Sequence, residues 1–442
     1  NKEPALKILE YFDIKDFFSG FAFGDSLDVL KPDPLMVDFA LKSFESKKTI
    51  YIGDSKTDLK TARNADSIFF LFTEGYRTEN ISDLNPDYFF SKYSDLMALI
   101  KKLWSWGKNL TKYFQPIINF GPDPIKGSLF LSDRNFWFDK VKVLQRGRKP
   151  FIINSNDLPK TVIKDITNSF NLCGYKNRPL IMGVLNLSPD SFSKAKQIPR
   201  NKLHNYIENI INEGADIIDI GGESTKPDFI DVEDVVEIKR IKRAFKLINK
   251  KYSAKIFSID TRKSSVANFA LKNGAAIFND VSSPQFDPKS INVVKKRKCF
   301  VCLMHNSGNG KELHKKLLGK NYLLDIYDYL QDRINFLLSS GIPKSKIIID
   351  PGIGFGKSIN QNLKIISNIN LFHSLGCPIL VGLSRKGFIG KIIGQKEPKK
   401  RVLSSVILAF ELIKKGVHII RVHDIKETSE MLKIFNSLKS SL

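Results

Sequence analysis

The chain of 442 residues, 42% hydrophobic and 26% charged, is long enough for two to three domains and has the composition of an ordinary soluble core. Its formal net charge of +24 comes mostly from Lys spread along the whole length without a block of like charge, a solvated basic surface that suits anionic small molecules and carries no nucleic-acid motif. Four scattered cysteines argue against a disulfide framework, no apolar stretch reaches the ~18 to 20 residues of a membrane span, and no secretory signal opens the chain, so a reducing, cytoplasmic setting without a membrane partner is expected.

Residues 1 to 100 alternate short apolar strands (GFAFG, TIYIGD, SIFFLF) with helical segments over Pro34 to Phe44 and Ser55 to Ala65, the pattern of an open α/β unit. Lys31-Pro32-Asp33-Pro34 opens the first helix, with Pro suited to its first turn. Asp54 and Asp58 flank a strand-to-helix turn, two carboxylates spaced to hold Mg²⁺ near a phosphate. With KPDP upstream and ARNA (62 to 65) downstream, these residues resemble the second half of a haloacid dehalogenase-type phosphatase, similar to phosphoglycolate phosphatases. Asn1-Lys2 matches the residues that follow that family's Ser/Thr motif, and since the chain does not open on Met its natural start is expected upstream. The family's nucleophilic aspartate lies in an Asp-x-Asp-Gly run, which this chain does not contain. Residues 1 to 100 therefore read as a truncated phosphatase fragment, able at most to hold Mg²⁺ and phosphate through Lys31, Asp54 and Asp58. The alternative is a bifunctional fusion whose nucleophile-bearing half lies outside this chain.

Residues 101 to 178 lack a clean period. Aromatic stretches (LWSWG, NFWFDKV), turns at Gly121-Pro122 and Asp123-Pro124, and a helix expected over Leu158 to Phe170 make this a linker and an N-terminal extension of the C-terminal domain.

From residue 179 to 442, eight apolar, β-branched runs each end in polar residues: LIMGVLN at Asn186, DIIDIGG at Glu223, IFSID at Asp260, AIFND at Asp280, CFVCLMH at His305, KIIID at Asp350, PILVGLS at Ser384 and VHIIRVHD at Asp424. Helical segments separate them, which predicts parallel strands with crossover helices. The fold class expected is α/β, a C-terminal (β/α)8 TIM barrel preceded by a partial Rossmann-like α/β fragment, with chemistry at the C-terminal strand ends. Cys299 and Cys302 have CxxC spacing inside a strand, where residues three apart face opposite sides, so no redox or metal role is expected.

Asp260, Asn279 and Asp350 come from three strands and can converge on an aminopyrimidine edge. Asp350-Pro-Gly-Ile-Gly-Phe-Gly-Lys357 brings glycines for close approach beside the aromatic face of Phe355. Ser384-Arg385-Lys386 follows the next strand, and Arg421 and His423, two apart on the last, share a face on which both can grip an anion.

The runs MGVLNLSPDSFS, GADIIDIGGESTKP, SIDT, GAAIFNDVS, IIDPGIGFGK, VGLSRKGFIG and RVHD, in this order over about 179 to 440, resemble dihydropteroate synthases. The resemblance implies condensation of 6-hydroxymethyl-7,8-dihydropterin pyrophosphate with p-aminobenzoate, an Mg²⁺ cofactor held at Asn186, a homodimer through the barrel, and inhibition by sulfonamides. It implies that Asp260, Asp350, Lys386, Arg421 and His423 are catalytic. Asn186, Thr225, Asn279, Met304, Phe355 and Gly382 would line the pterin pyrophosphate with them. Pro189, Asp190, Phe192, Lys226, Pro227, Ser384 and Arg385, with Thr225, would shape the p-aminobenzoate side. Two departures fall in that last sector. Lys194-Ala195-Lys196 stands where the family usually has Asp-Gly-Gly, and Lys226 replaces an Arg, keeping the charge and losing the bidentate fork.

Overall fold

The computed structural model describes residues 2–42, 44, 49–76, 84, 86–97, 99–100, 111–133, 135–176, 178–188, 202–223, 231–252, 255–306 and 321–440. They divide into two compact units, Asn1–Leu110 and Thr111–Leu442.

In the first unit three parallel strands, Ile50–Gly53, Ile68–Phe72 and Tyr88–Phe90, lie side by side in chain order. Phe69, Leu71, Ala62 and Leu84 form its core. The helix Lys56–Asn64 starts where expected because Ser55 caps it, its side chain accepting from the Asp58 N–H. GFAFG, expected as a strand, is not one: two glycines bracket only three residues, and Phe21 and Phe23 stack at 5.7 Å instead of joining the sheet. The third strand is Tyr88–Phe90.

In the second unit the eight expected runs form eight parallel strands: β1 (Leu180–Asn186), β2 (Ile217–Gly221), β3 (Ile256–Asp260), β4 (Ile277–Asp280), β5 (Phe300–Met304), β6 (Ile347–Asp350), β7 (Leu380–Gly382) and β8 (Ile419–Val422). Each pairs with its neighbours in sequence, and β8 pairs with β1. Between β6 and β7 the seam closes through the bridge Ile349↔Ile379, with the Ile349 N–H donating to Pro378 O at 2.9 Å. Alternation along each strand sorts the side chains. Ile181, Ile218, Phe257, Phe278, Val301 and Ile349 pack outward under the helices. Met182, Ile217, Ile256, Ile277, Cys302 and Ile348 fill the lower interior. Cys299 and Cys302 fall in different clusters, on opposite faces as expected.

Residues 111 to 178 belong to the same compact unit as the barrel. Tyr113–Pro116, Lys140–Leu144 and Phe151–Asn154 form an antiparallel sheet. It is tied to the helix Tyr322–Ser339 by Arg146, whose Nη2 lies 2.7 Å from Asp325 and 2.8 Å from Asp328, and by the Tyr113 hydroxyl, which donates to Asp328 at 3.0 Å. The helix expected over Leu158 to Phe170 spans only Lys160–Ile166. Beyond it Asn171 turns the chain into a hairpin, its side chain accepting from the Gly174 N–H at 2.8 Å while Gly174 takes φ +96. That hairpin places Leu172 in the lower interior cluster and so closes the N-terminal end of the barrel. Among the described residues no helix is long and apolar enough to cross a membrane.

Candidate active site

Above the apolar lower interior the inward positions turn polar. Asp219 of β2, Asp260 of β3, Asn279 of β4 and Arg421 of β8 meet in one network. Arg421 donates from Nε to Asp219 at 2.7 Å and from Nη2 to Asp260 at 2.6 Å, and Asn279 Nδ2 donates to the same Asp219 oxygen at 3.0 Å. The Oδ1 atoms of Asp219 and Asp260 are buried with no hydrogen-bond partner among the described residues, and a buried acceptor left unpaired is costly. Burial pushes the Asp260 carboxyl up from its ordinary value; Arg421 pulls against this and Asp219 adds to the rise. Sequence reasoning overlooked Asp219. Its signal was an acid at an inward position, two residues before Gly221, inside an otherwise apolar strand.

The second cluster is built on the loop after β6. Asp350 is buried, accepts from the Gly352 N–H at 2.7 Å, and is raised by burial against the pull of Lys386. Gly352 has φ +70, and a Cβ there would lie 1.8 Å from His305 O, so this close approach requires glycine. Lys386, from the turn after β7, donates to Ile353 O and stands 4.4 Å over the Phe355 ring. Burial pushes Lys386 down to about 8, with Asp350 opposing and Arg421 adding. Phe355 packs with Met304 and Val281 in a small apolar cluster. The result is an apolar cluster of a ring and a thioether with the charged Lys386 standing over its ring.

Around this core, Asn186 ends β1 and its Oδ1 accepts from the Ser188 N–H at 3.0 Å. Gly382 lies opposite Arg421 in the β7–β8 ladder. His423 follows β8 on the exposed rim and donates its N–H to Ser384 Oγ at 3.2 Å. Ser384 and Arg385 both turn to Asp424: Ser384 Oγ donates to it at 3.1 Å and Arg385 Nε at 3.0 Å. Thr225, Lys226, Pro227, Pro189, Asp190, Phe192 and Lys194 lie outside the described residues. The stem of the loop after β2 is described: Glu223 accepts from Arg262 at 3.0 Å, and Lys263 joins Glu223 to Glu237, the latter at 2.8 Å, a buried ion network that sequence reasoning did not identify.

In the N-terminal unit Asp58 accepts from Lys31 Nζ at 2.8 Å, from Ser55 Oγ at 2.7 Å and from the Tyr51 hydroxyl at 3.2 Å. Burial works against the charged form, and the Lys31 and Ser55 contacts outweigh it to hold the carboxyl below its ordinary value. Asp54 accepts from the Tyr76 N–H at 3.0 Å. Among the described residues no group of three or more His, Cys, Asp or Glu could hold a metal ion.

Residues 182–423 match the model of the pterin-binding enzymes, and residues 1–71 match that of the haloacid dehalogenase-like hydrolases. The dihydropteroate synthase of Haemophilus influenzae is 37% identical over 268 residues, covering 60% of this chain and 96% of that protein. The Bacillus subtilis dihydropteroate synthase is 36% identical over 270 residues, covering 60% and 90%. Among solved structures, the Xanthomonas albilineans dihydropteroate synthase with 4-aminobenzoic acid is similar with a TM-score of 0.56 at 31% identity, covering 62% of this chain and 98% of that one. The Yersinia pestis enzyme with a sulfonamide drug complex gives 0.58 at 32%, covering 62% and 100%.

Proposed function

The chain belongs to the pterin-binding enzyme family of the dihydropteroate synthases, and from that premise we propose that its barrel joins 6-hydroxymethyl-7,8-dihydropterin pyrophosphate to p-aminobenzoate, releasing pyrophosphate. The observation that carries this reading is the pair of polar clusters at one barrel mouth, Asp219/Asp260/Asn279/Arg421 and Asp350/Lys386/Phe355. Orphaned carboxylate oxygens there suit the N–H donors of an aminopyrimidine, and the aromatic face of Phe355, beside Met304, suits a flat ring.

In this reading Asp260, Asn279 and Asp350 fix the pterin edge and Lys386 donates to it. Arg421, aimed by Asp219, and His423 face the diphosphate. As the C–O bond breaks, Arg421 and His423 stabilise the leaving group while Asp350 and Asp260 offset the positive charge at the pterin methylene, an electrostatic preorganisation that needs no protein nucleophile. The amine of p-aminobenzoate then attacks that carbon from the side of Ser384 and Arg385, whose turn Asp424 braces, and the nitrogen sheds one proton to solvent to give the neutral secondary amine. Asn186 fits an Mg²⁺ role: its amide oxygen keeps a second lone pair beyond the Ser188 contact, and this ion commonly takes few protein oxygens and shares substrate phosphates. When bound, Mg²⁺ would neutralise charge on the departing pyrophosphate.

The same reading makes the barrel a sulfonamide target on its p-aminobenzoate side and a homodimer. The dimer is supported by Leu403 and Ile407 on helix Val402–Ile413 and Ile434 on the neighbouring helix Ile425–Ser440, which are 73%, 56% and 64% exposed. For the N-terminal unit no turnover is proposed. An Mg²⁺ ion at Asp54 and Asp58 would have to share Asp58 with Lys31.

The test is to incubate the full chain with both substrates and Mg²⁺ and follow dihydropteroate and pyrophosphate. A folded chain that makes neither and binds no pterin overturns the reading.

A further inference from the structure

The loop after β6 folds around a buried lysine that the substrate contacts do not use. Lys357 is 9% exposed. Its Nζ donates to Gly352 O at 2.7 Å and to Phe355 O at 3.0 Å, and it lies 3.2 Å from His305 Nδ1 and 3.4 Å from His305 O. An ammonium has three donors and no acceptor. This one therefore gathers both limbs of the loop and ties them to the end of β5. From its other side, the same loop supplies the Ile353 carbonyl to Lys386 and holds the Phe355 ring 4.4 Å from Lys386 Nζ. One cation organises the loop from beneath, and the other uses it.

We infer that Lys357 is a positioning residue for the pterin: by fixing the loop it sets the tilt of Phe355 and the reach of Lys386, and so governs pterin affinity without touching p-aminobenzoate. The inference rests on reading this mouth as the pterin slot. A buried ammonium is costly unless every donor is used, and a neutral side chain would serve stability alone at less cost. The groups facing Lys357 are Asp350, Lys386 and His305. Burial pushes Lys357 down to about 7, with Asp350 opposing and Lys386 adding. His305 is neutral near pH 7, pushed down to about 3 by burial and by Lys357. As pH rises through about 7, Lys357 loses a donor and its charge. As it rises through about 8, Lys386 does the same.

The experiment compares the full wild-type chain with Lys357→Met and Lys357→Gln in steady-state turnover with both substrates. The expected result is a KM for the pterin pyrophosphate raised about 30-fold in Lys357→Met and less in Lys357→Gln, whose amide keeps two N–H donors without the charge. The KM for p-aminobenzoate should stay within about threefold, because uniform loss of folded enzyme lowers the rate and leaves KM unchanged. Pterin affinity of the wild type should weaken in two stages with rising pH, and Lys357→Met should lose the lower stage and keep the Lys386 stage. If Lys357→Met does not fold, Lys357→Gln decides. An active wild type with an unchanged pterin KM in the folded variants, or with both KM values raised alike, overturns the inference. A wild type that forms no dihydropteroate overturns instead the functional reading beneath it.

Discussion

Asp58 and Asp350 invite comparison, because each is a carboxylate beyond the apolar run of a parallel strand with a lysine nearby, Asp58 in the first turn of the helix that follows its strand and Asp350 as the last residue of its own. The partners of Asp58 come from residues 31 to 55, and its oxygens are taken by Lys31, Tyr51, Ser55 and the Asp54 N–H. Among the described residues the Asp350 carboxylate accepts one hydrogen bond, from the Gly352 N–H, while Lys386, Lys357 and Arg421 act on it through space. The first is a self-satisfied turn. The second is a carboxylate held in reserve by strands far apart in sequence, and barrel closure is what brings them together.

The sharpest way to break this contrast is to remove the reserved charges. Asp350→Ala and Lys386→Ala should each weaken pterin pyrophosphate binding by about 1000-fold, since each loses a charge-assisted contact and leaves a buried partner uncompensated. Titration calorimetry with the full chain measures it, and an Asp350→Ala chain that binds within tenfold of wild type would reduce the barrel mouth to the status of the N-terminal turn.

A second, smaller effect should follow from pH. Lys386 is pushed down to about 8, so it is protonated below that pH and neutral above it. Pterin affinity should therefore fall as pH rises beyond about 8, by about tenfold per pH unit if only the ammonium binds. In Lys386→Met, binding measured from about pH 6 to 9.5 should keep the lower stage that belongs to Lys357, near pH 7, and lose the further fall beyond about 8.

A third test concerns the elements that carry the mouth. Arg146, with its side chain 10% exposed, lies between the antiparallel sheet and Asp325 and Asp328, the latter 13% exposed. Arg146→Met removes the cation that joins Asp325 and Asp328 to the sheet and should cost about 1 to 2 kcal/mol, read as a lower denaturation midpoint of the barrel unit, with the pterin KM unchanged in the fraction that stays folded.

The sequence made the eight barrel strands legible because each is a buried, β-branched run that ends abruptly in polar residues, and burial on both faces leaves few other folds for such runs. The rim residues Asp260, Asn279 and Asp350 were legible for the same reason. Asp219 was not, because it sits inside its run, and only the register Gly221↔Asp260 reveals that it points into the barrel beneath Arg421. Lys357 was hidden at the end of a glycine run, where its role depends on a fold of the loop that sequence spacing does not encode. Residues 111 to 178 were opaque because their strands are two to five residues long and pair across long separations, Tyr113 with Leu144 for one, so no local period marks them.

The smallest expected effect tests the partition itself. Asp54 accepts from the Tyr76 N–H, and Gly75 leaves room for it, since a Cβ there would lie 2.2 Å from Asp54 Cβ. These contacts stay within the first compact unit. The proposed pterin, pyrophosphate and p-aminobenzoate contacts all come from the second. Asp54→Ala should therefore loosen the turn by about 1 kcal/mol, the worth of an ordinary hydrogen bond, and leave dihydropteroate turnover and both KM values at their wild-type levels. A loss of synthesis in a folded Asp54→Ala chain would mean that the turn reaches the barrel, and the contrast between a self-satisfied carboxylate and a reserved one would no longer separate the two units.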